Sequence, residues 1–162
     1  MRRLFLAVAL LSFCVATGTA QTKVTGTAQC GKPDPQHMVP VGDRPNHSLS
    51  VEQFKCTWTK PMEIEGAKSK DGTSTATVDI SGNTSRARGF HVSTMDSGDK
   101  FFVSYQGTST MKDGALQSQK GTWSFTGGTG KLKSIKGKGT FTCATSGDSI
   151  SCDVEGDYQL AK

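Results

Sequence analysis

Ile150-Ser151-Cys152-Asp153-Val154-Glu155-Gly156-Asp157-Tyr158-Gln159-Leu160 carries an apolar residue or glycine at every even position and a polar residue between each pair. A period of two is the pattern of a β-strand with one face in a core and the other in water. Leu49 and Val51 begin a similar alternation, which slips by one residue at Glu52-Gln53 and resumes at Phe54, Cys56 and Trp58. That slip predicts a β-bulge. Further strands are expected at Met62 to Lys68, Thr73 to Ile80, Arg86 to Met95, Lys100 to Thr110, Ala115 to Thr126 and Ile135 to Cys143. Turn chemistry separates them at Lys70-Asp71-Gly72, Ser81-Gly82-Asn83, Asp96-Ser97-Gly98-Asp99, Lys112-Asp113-Gly114 and Gly127-Gly128-Thr129-Gly130. No window has helical periodicity, so the expected class is all-β.

About eight strands joined by short turns form either an antiparallel closed barrel or a β-sandwich, and only closure removes the sheet edges. Gly121, Gly137, Gly139 and Gly156 favour the barrel, because a strand residue without a side chain lets a sheet bend or another group approach closely. Gly31 to Asn46 reads differently. Pro33, Pro35, Pro40 and Pro45 interrupt strand pairing there, which predicts an ordered proline-rich arm held at Cys30 and Cys56.

The first twenty residues read as a signal peptide, with Arg2 and Arg3 before the apolar run Leu4 to Val15 and small residues from Ala16 to Ala20. At 1.5 Å per residue that run is roughly 18 Å of helix, too short for a ~30 Å hydrocarbon core, so no stable membrane anchor is expected. Arg2-Arg3-Leu4-Phe5-Leu6 resembles a twin-arginine signal, but the ordinary secretory route is preferred. Cleavage near Ala20 would leave a secreted or periplasmic single domain, residues 21–162, with 17 basic against 14 acidic residues. A net charge of +3 is too small to imply nucleic acid.

Leu, Ile, Val and Phe supply only 22 of those 142 residues, so the core is thin and cross-links matter. Cys30, Cys56, Cys143 and Cys152 would lie in an oxidising compartment, where two disulfides are the expected state. Of three pairings, Cys143 with Cys152 is preferred, because Ala144 to Ser149 reads as a hairpin connection. Cys30 then joins Cys56. In the chain-entropy model, loops of these lengths contribute about 2.7 and 3.5 kcal/mol.

Trp123-Ser-Phe125-Thr-Gly127-Gly128-Thr129-Gly130-Lys131-Leu132-Lys133-Ser-Ile135-Lys136-Gly137 resembles the strand, glycine turn, strand signature of the dirigent and allene oxide cyclase barrel superfamily. The resemblance covers fifteen to twenty residues. It implies an eight-stranded antiparallel barrel, often a homotrimer, with a central cavity for a small apolar molecule. Some members cyclise or orient reactive intermediates without a cofactor. No acid, base or proton-relay residue of that family carries over to this chain, and the disulfides and the arm depart from its plant members.

Candidates for chemistry are few. His37 and His47 lie near Asp34 and Asp43, but the surrounding prolines exclude a helix that would align them, so no metal site is expected. His91 shares a strand face with Gly89, Ser93 and Met95, and becomes the weak catalytic candidate if that face lines a cavity. Trp58, Tyr105, Trp123 and Tyr158 each combine apolar area with one polar group, and with His91 they form the candidate ligand pocket. No serine occupies a G-x-S-x-G elbow, and Gly127 to Lys131 lacks Walker spacing. Lys131, Lys133, Lys136 and Lys138 are expected to point outward. The preferred reading is an exported barrel that binds a small apolar molecule without catalysis and without a cofactor. The alternatives are a cofactor-free cyclase or isomerase, and a structural or interaction module of the cell envelope.

Overall fold

The structure, a computed structural model, describes residues 21–112 and 115–161; the proposed signal peptide lies outside them. Ten strands follow in chain order: β1 (Thr22–Cys30), β2 (Gln36–Pro40), β3 (His47–Lys60), β4 (Glu63–Ile64), β5 (Ala67–Ser81), β6 (Thr84–Met95), β7 (Lys100–Lys112), β8 (Ala115–Gly128), β9 (Ile135–Ser146) and β10 (Ser149–Leu160). Every pairing is antiparallel. The order β3-β1-β10-β9-β8-β7-β6-β5 returns to β3 through its pairing with β5, closing an eight-stranded barrel with β2 and β4 as additions.

Four features depart from the sequence reading. The strand β1 has no counterpart in it, because its inward residues Val24, Gly26 and Ala28 make a weak apolar signal, yet β1 is the seam between β10 and β3. No bulge interrupts the β3–β5 register at Glu52-Gln53. Leu49 and Val51 simply face outward, half exposed, and the irregularity in β3 falls instead at Thr59, opposite the Thr27/Ala28 step. Lys70-Asp71-Gly72 is part of β5, not a turn; the reversal occurs at Glu65-Gly66, both with positive φ (52° and 77°), leaving β4 only two residues long. The arm also holds a strand. Asp34 N–H donates to Gln53 O (2.7 Å), and β2 continues along β3 from Gln36↔Glu52 to Pro40↔Ser48.

One barrel end is plugged by its own turns, which bring Met62, Ile64, Met95, Leu132 and Ile135 together with Phe101, all nearly inaccessible. The Gly130–Leu132 segment is a 3-10 turn that delivers Leu132 into this plug, with Lys131, Lys133, Lys136 and Lys138 all exposed. The two disulfides lie toward the other end. Cys30–Cys56 joins β1 to β3 and Cys143–Cys152 joins β9 to β10, so four successive barrel strands are stapled in pairs. Each bond links residues already directly opposite in register, and the pair fits an exported protein.

Between the ends, inward rings lie across glycines of neighbouring strands. A Cβ added at Gly26 would stand 2.7 Å from Trp58 Cζ3, one at Gly72 2.6 Å from His91 Nε2, and one at Gly89 2.6 Å from the Tyr105 ring carbon Cζ. Gly139 and Gly156 face each other under Trp123, whose Cζ2 is 2.6 Å from either added Cβ. Gly139 and Gly156, two of the four glycines expected to favour a barrel, make room for a ring; Gly26, Gly72 and Gly89 do the same without having been singled out.

Two measurements check this architecture. Non-reducing peptide mapping of protein from an oxidising compartment should recover Cys30 with Cys56 and Cys143 with Cys152; any crossed pair contradicts the fold. Gly139→Val should cost at least the ~1–3 kcal/mol of ordinary overpacking, because its side chain meets both Trp123 and the Glu155 carbonyl oxygen. Lys138→Val, exposed and on the opposite face, should change stability by no more than about 0.5 kcal/mol. Equal losses in denaturant unfolding would mean that the strand faces the other way.

Candidate functional site

Inward positions alternate regularly around the ring, so the neighbours of His91 follow from strand register. It stands opposite Ser74 on β5 and Val103 on β7, with Gly72 diagonal to it. Arg86, Arg88, Phe90 and Val92 take the outer face. Above the plug the ring stacking leaves a cavity of about 150 Å³. Trp58, His91, Tyr105 and Trp123 all line it, as do the disulfide residues Cys30, Cys143 and Cys152. Tyr158 does not; it sits in the plug, where its hydroxyl accepts a hydrogen bond from the Glu65 N–H (3.3 Å).

Most polar groups in the wall are already engaged. Trp58 Nε1 donates to Ser93 Oγ at 2.8 Å, and the Ser93 hydroxyl donates in turn to the Asp71 carbonyl at 3.2 Å. Trp123 Nε1 donates to Thr140 O (3.1 Å). The Tyr105 hydroxyl and Ser74 Oγ share a 2.8 Å hydrogen bond, and burial pushes the Tyr105 hydroxyl up from its ordinary value. The phenol therefore stays protonated at neutral pH.

His91 is the exception. Its ring meets Trp58 edge to face, with centroids 6.2 Å apart, and its Nε2 is buried without a hydrogen-bond partner against the bare Cα of Gly72. An imidazolium would have to bury a charge and an unmatched donor there. Burial accordingly lowers the His91 pKa to about 4.

The cavity continues away from the plug into a second space of about 130 Å³, here called the mouth, the two sharing Phe54, Tyr105, Gln119 and Ile150. Glu52 lies in this mouth, half-buried, its Oε1 accepting from Ser50 Oγ (2.9 Å) and from Gln36 Nε2 of the arm (2.8 Å). Reading a slip at Glu52-Gln53 hides this residue; unbroken alternation through Phe54, Cys56 and Trp58 would have turned it inward. Ser74 and Gln119 carry no signal beyond their strand parity.

The other two histidines are elsewhere. His37 is exposed on β2 opposite Val51. His47 gives one ring nitrogen to Asp43 and the other to Asp79 (3.1 Å), tying the arm to β5, and its hydrogen bond holds the Asp43 carboxyl below its ordinary value. Among the described residues no three His, Cys, Asp or Glu side chains form a cluster able to hold a metal ion.

No family model matches the chain, and no curated protein does. Among solved structures it is similar to a protein of unknown function from the DUF3224 family of Shewanella oneidensis MR-1, with a TM-score of 0.53 and 17% identity over 88% of this chain and 99% of that one. It is also similar to the pterocarpan synthase dirigent protein GePTS1, with a TM-score of 0.50 and 13% identity over 98% of each chain. At these identities the likeness is one of fold: all three share the barrel.

The state of His91 has a measurable consequence. Unfolded, it takes up a proton near pH 6.5, whereas folded it stays neutral down to about pH 4. Between those values the unfolded state binds more protons, so stability falls as the pH is lowered through this window, by about 3 kcal/mol from this residue. His91→Asn should remove that part of the slope in denaturant unfolding measured from pH 7 to pH 4. An unchanged slope would mean that the folded imidazole titrates normally.

Proposed function

We propose that this chain is exported, loses its signal peptide near Ala20, and acts as an extracellular or periplasmic barrel that holds a small apolar molecule in its interior without transforming it. The observation that carries the reading is the cavity of about 150 Å³ left between Trp58, His91, Tyr105 and Trp123. A barrel serving only as a structural module gains from filling that space, since each lost methylene of packing costs on the order of 1 kcal/mol. An apolar cavity of this size accommodates a molecule about as large as benzene. Export is supported by the two disulfides, which suit an oxidising compartment.

A cofactor-free cyclase or isomerase using the same cavity is the second reading, favoured by the inward His91 and Glu52. GePTS1, of similar fold, is a pterocarpan synthase, so a barrel of this architecture is compatible with chemistry. Binding ranks first here because His91 is poorly placed as a general base: its Nε2 faces Gly72 rather than the void, and its pKa of about 4 makes it a weak acceptor of protons at neutral pH. Tyr105 is tied to Ser74.

Native mass spectrometry of protein purified from its own host should find a small molecule retained. Independently, toluene should shift the indole resonances of Trp58 and Trp123 saturably. Ala28→Leu, which adds three carbons in the cavity wall, should abolish those shifts. Shifts that are absent from the wild type, or equal in the two proteins, would refute the reading; conversion of the retained molecule would favour the cyclase.

A further inference from the structure

Among the described residues lining the cavity and its mouth, Glu52 is the one side chain that carries charge at neutral pH, since His91 is neutral and Tyr105 stays protonated. Among the described residues, Lys32 pairs with Asp148, Arg44 with Asp43 and His47 with Asp43 and Asp79, and no basic group lies within 4 Å of the Glu52 carboxylate. Its two hydrogen bonds, from Ser50 and Gln36, both end on Oε1. A carboxylate has about four lone-pair sites, so acceptor capacity remains. The neutral donors that hold it fix its position without cancelling its charge.

We propose that Glu52 makes the cavity selective for apolar molecules that carry a cationic nitrogen on a short arm, the apolar body lying among the rings and the ammonium group meeting the carboxylate in the mouth. This rests on the ligand-binding reading given above. Phe54, which lines both compartments, is two residues from Glu52 on the same strand face, a separation of about 7 Å. A two-carbon linker puts the nitrogen about 4 Å from the ring, and a charge-assisted hydrogen bond of about 2.8 Å to the carboxylate makes up the remainder. The charge of the chain as a whole is positive, so the attraction is a property of the mouth and not of the surface. Low-dielectric walls strengthen it, and a charge-assisted hydrogen bond exceeds a neutral one. The same field opposes a carboxylate-bearing ligand, which would place two like charges together with no cation between them.

Three probes of one shape separate the possibilities at neutral pH and low salt: 2-phenylethylamine, 2-phenylethanol and 3-phenylpropionate, titrated by calorimetry into the wild type and into Glu52→Gln. The glutamine keeps an amide oxygen for Ser50 and Gln36. In the wild type the amine should bind about tenfold more tightly than the alcohol, and the propionate more weakly than either. In Glu52→Gln the ratio of amine to alcohol should fall to near one, and circular dichroism with an unfolding curve should verify that the variant is folded. If the alcohol binds and the amine is no tighter, the selectivity is refuted while the cavity reading survives. If the amine preference persists in Glu52→Gln, the cation is recognised elsewhere and the assignment of Glu52 is wrong. If none of the three probes binds, the cavity reading and this inference both fail.

Discussion

The interior of a closed eight-stranded barrel is only about wide enough for its own side chains, and the structure is organised by the way this chain meets that limit. Rings lie over glycines on nearby strands: Trp58 over Gly26, His91 over Gly72, Tyr105 over Gly89, and Trp123 over Gly139 of the adjoining strand and Gly156 of the one beyond it. Each pair gains the contact area of an aromatic ring while removing the Cβ that would lift it. Glycine in a strand is itself unfavourable by roughly 0.5–1 kcal/mol relative to alanine, so the arrangement costs backbone entropy that ring burial must offset. It also fixes register, because a slip of one residue would turn every ring outward and bring bulk under none of them.

A core built this way is uneven along the barrel axis. At the plugged end, flexible Met62 and Met95 and branched Ile64, Leu132 and Ile135 fill the irregular space delivered by the turns. In the middle, flat rings on opposed strands cannot interdigitate like aliphatic chains, and the cavity is what remains. The disulfides lie where aliphatic packing is sparse, Cys30, Cys143 and Cys152 forming part of the cavity wall. There they hold four neighbouring strands together without filling the void. Cross-links thus substitute for the apolar mass that the composition lacks.

The barrel was legible because its strongest strands alternate cleanly. Ile150 to Leu160 and Ile135 to Cys143 declare their faces by period two alone, and period two also grouped His91 with Gly89, Ser93 and Met95, while leaving open which way that face points. Legibility failed where inward residues are small or polar. The strand β1 turns Val24, Gly26 and Ala28 inward, a pattern too weakly apolar to stand out, because Trp58 from β3 already occupies the space above Gly26. At Leu49 and Val51 the apolar residues are on the outer wall, and hydrophobicity pointed the wrong way. Gly72 has the local look of a turn residue for the same reason: nothing near it in sequence reveals that His91, nineteen positions later, needs the room. A glycine in a barrel strand is explained by its neighbour across the sheet, and sequence proximity carries no information about that neighbour.

These errors share a root with the misreading of Glu52. A carboxylate on the inner face breaks the apolar pattern that reveals a strand, and so the residue of greatest interest is the one that pattern-reading converts into a bulge. Stability does not ask for a charge at that position: burying part of a carboxylate costs desolvation, and Ser50 and Gln36 return only neutral hydrogen bonds. Gln36 comes from the arm, whose course along β3 is held by Cys30–Cys56 at one end and by the hydrogen bonds of His47 with Asp43 and Asp79 at the other. The prolines that interrupt regular pairing therefore serve a strand that reaches the rim and positions a donor for the mouth carboxylate. Local rules are broken at Glu52, and the arm and the neighbouring strand residues are arranged to accommodate the break.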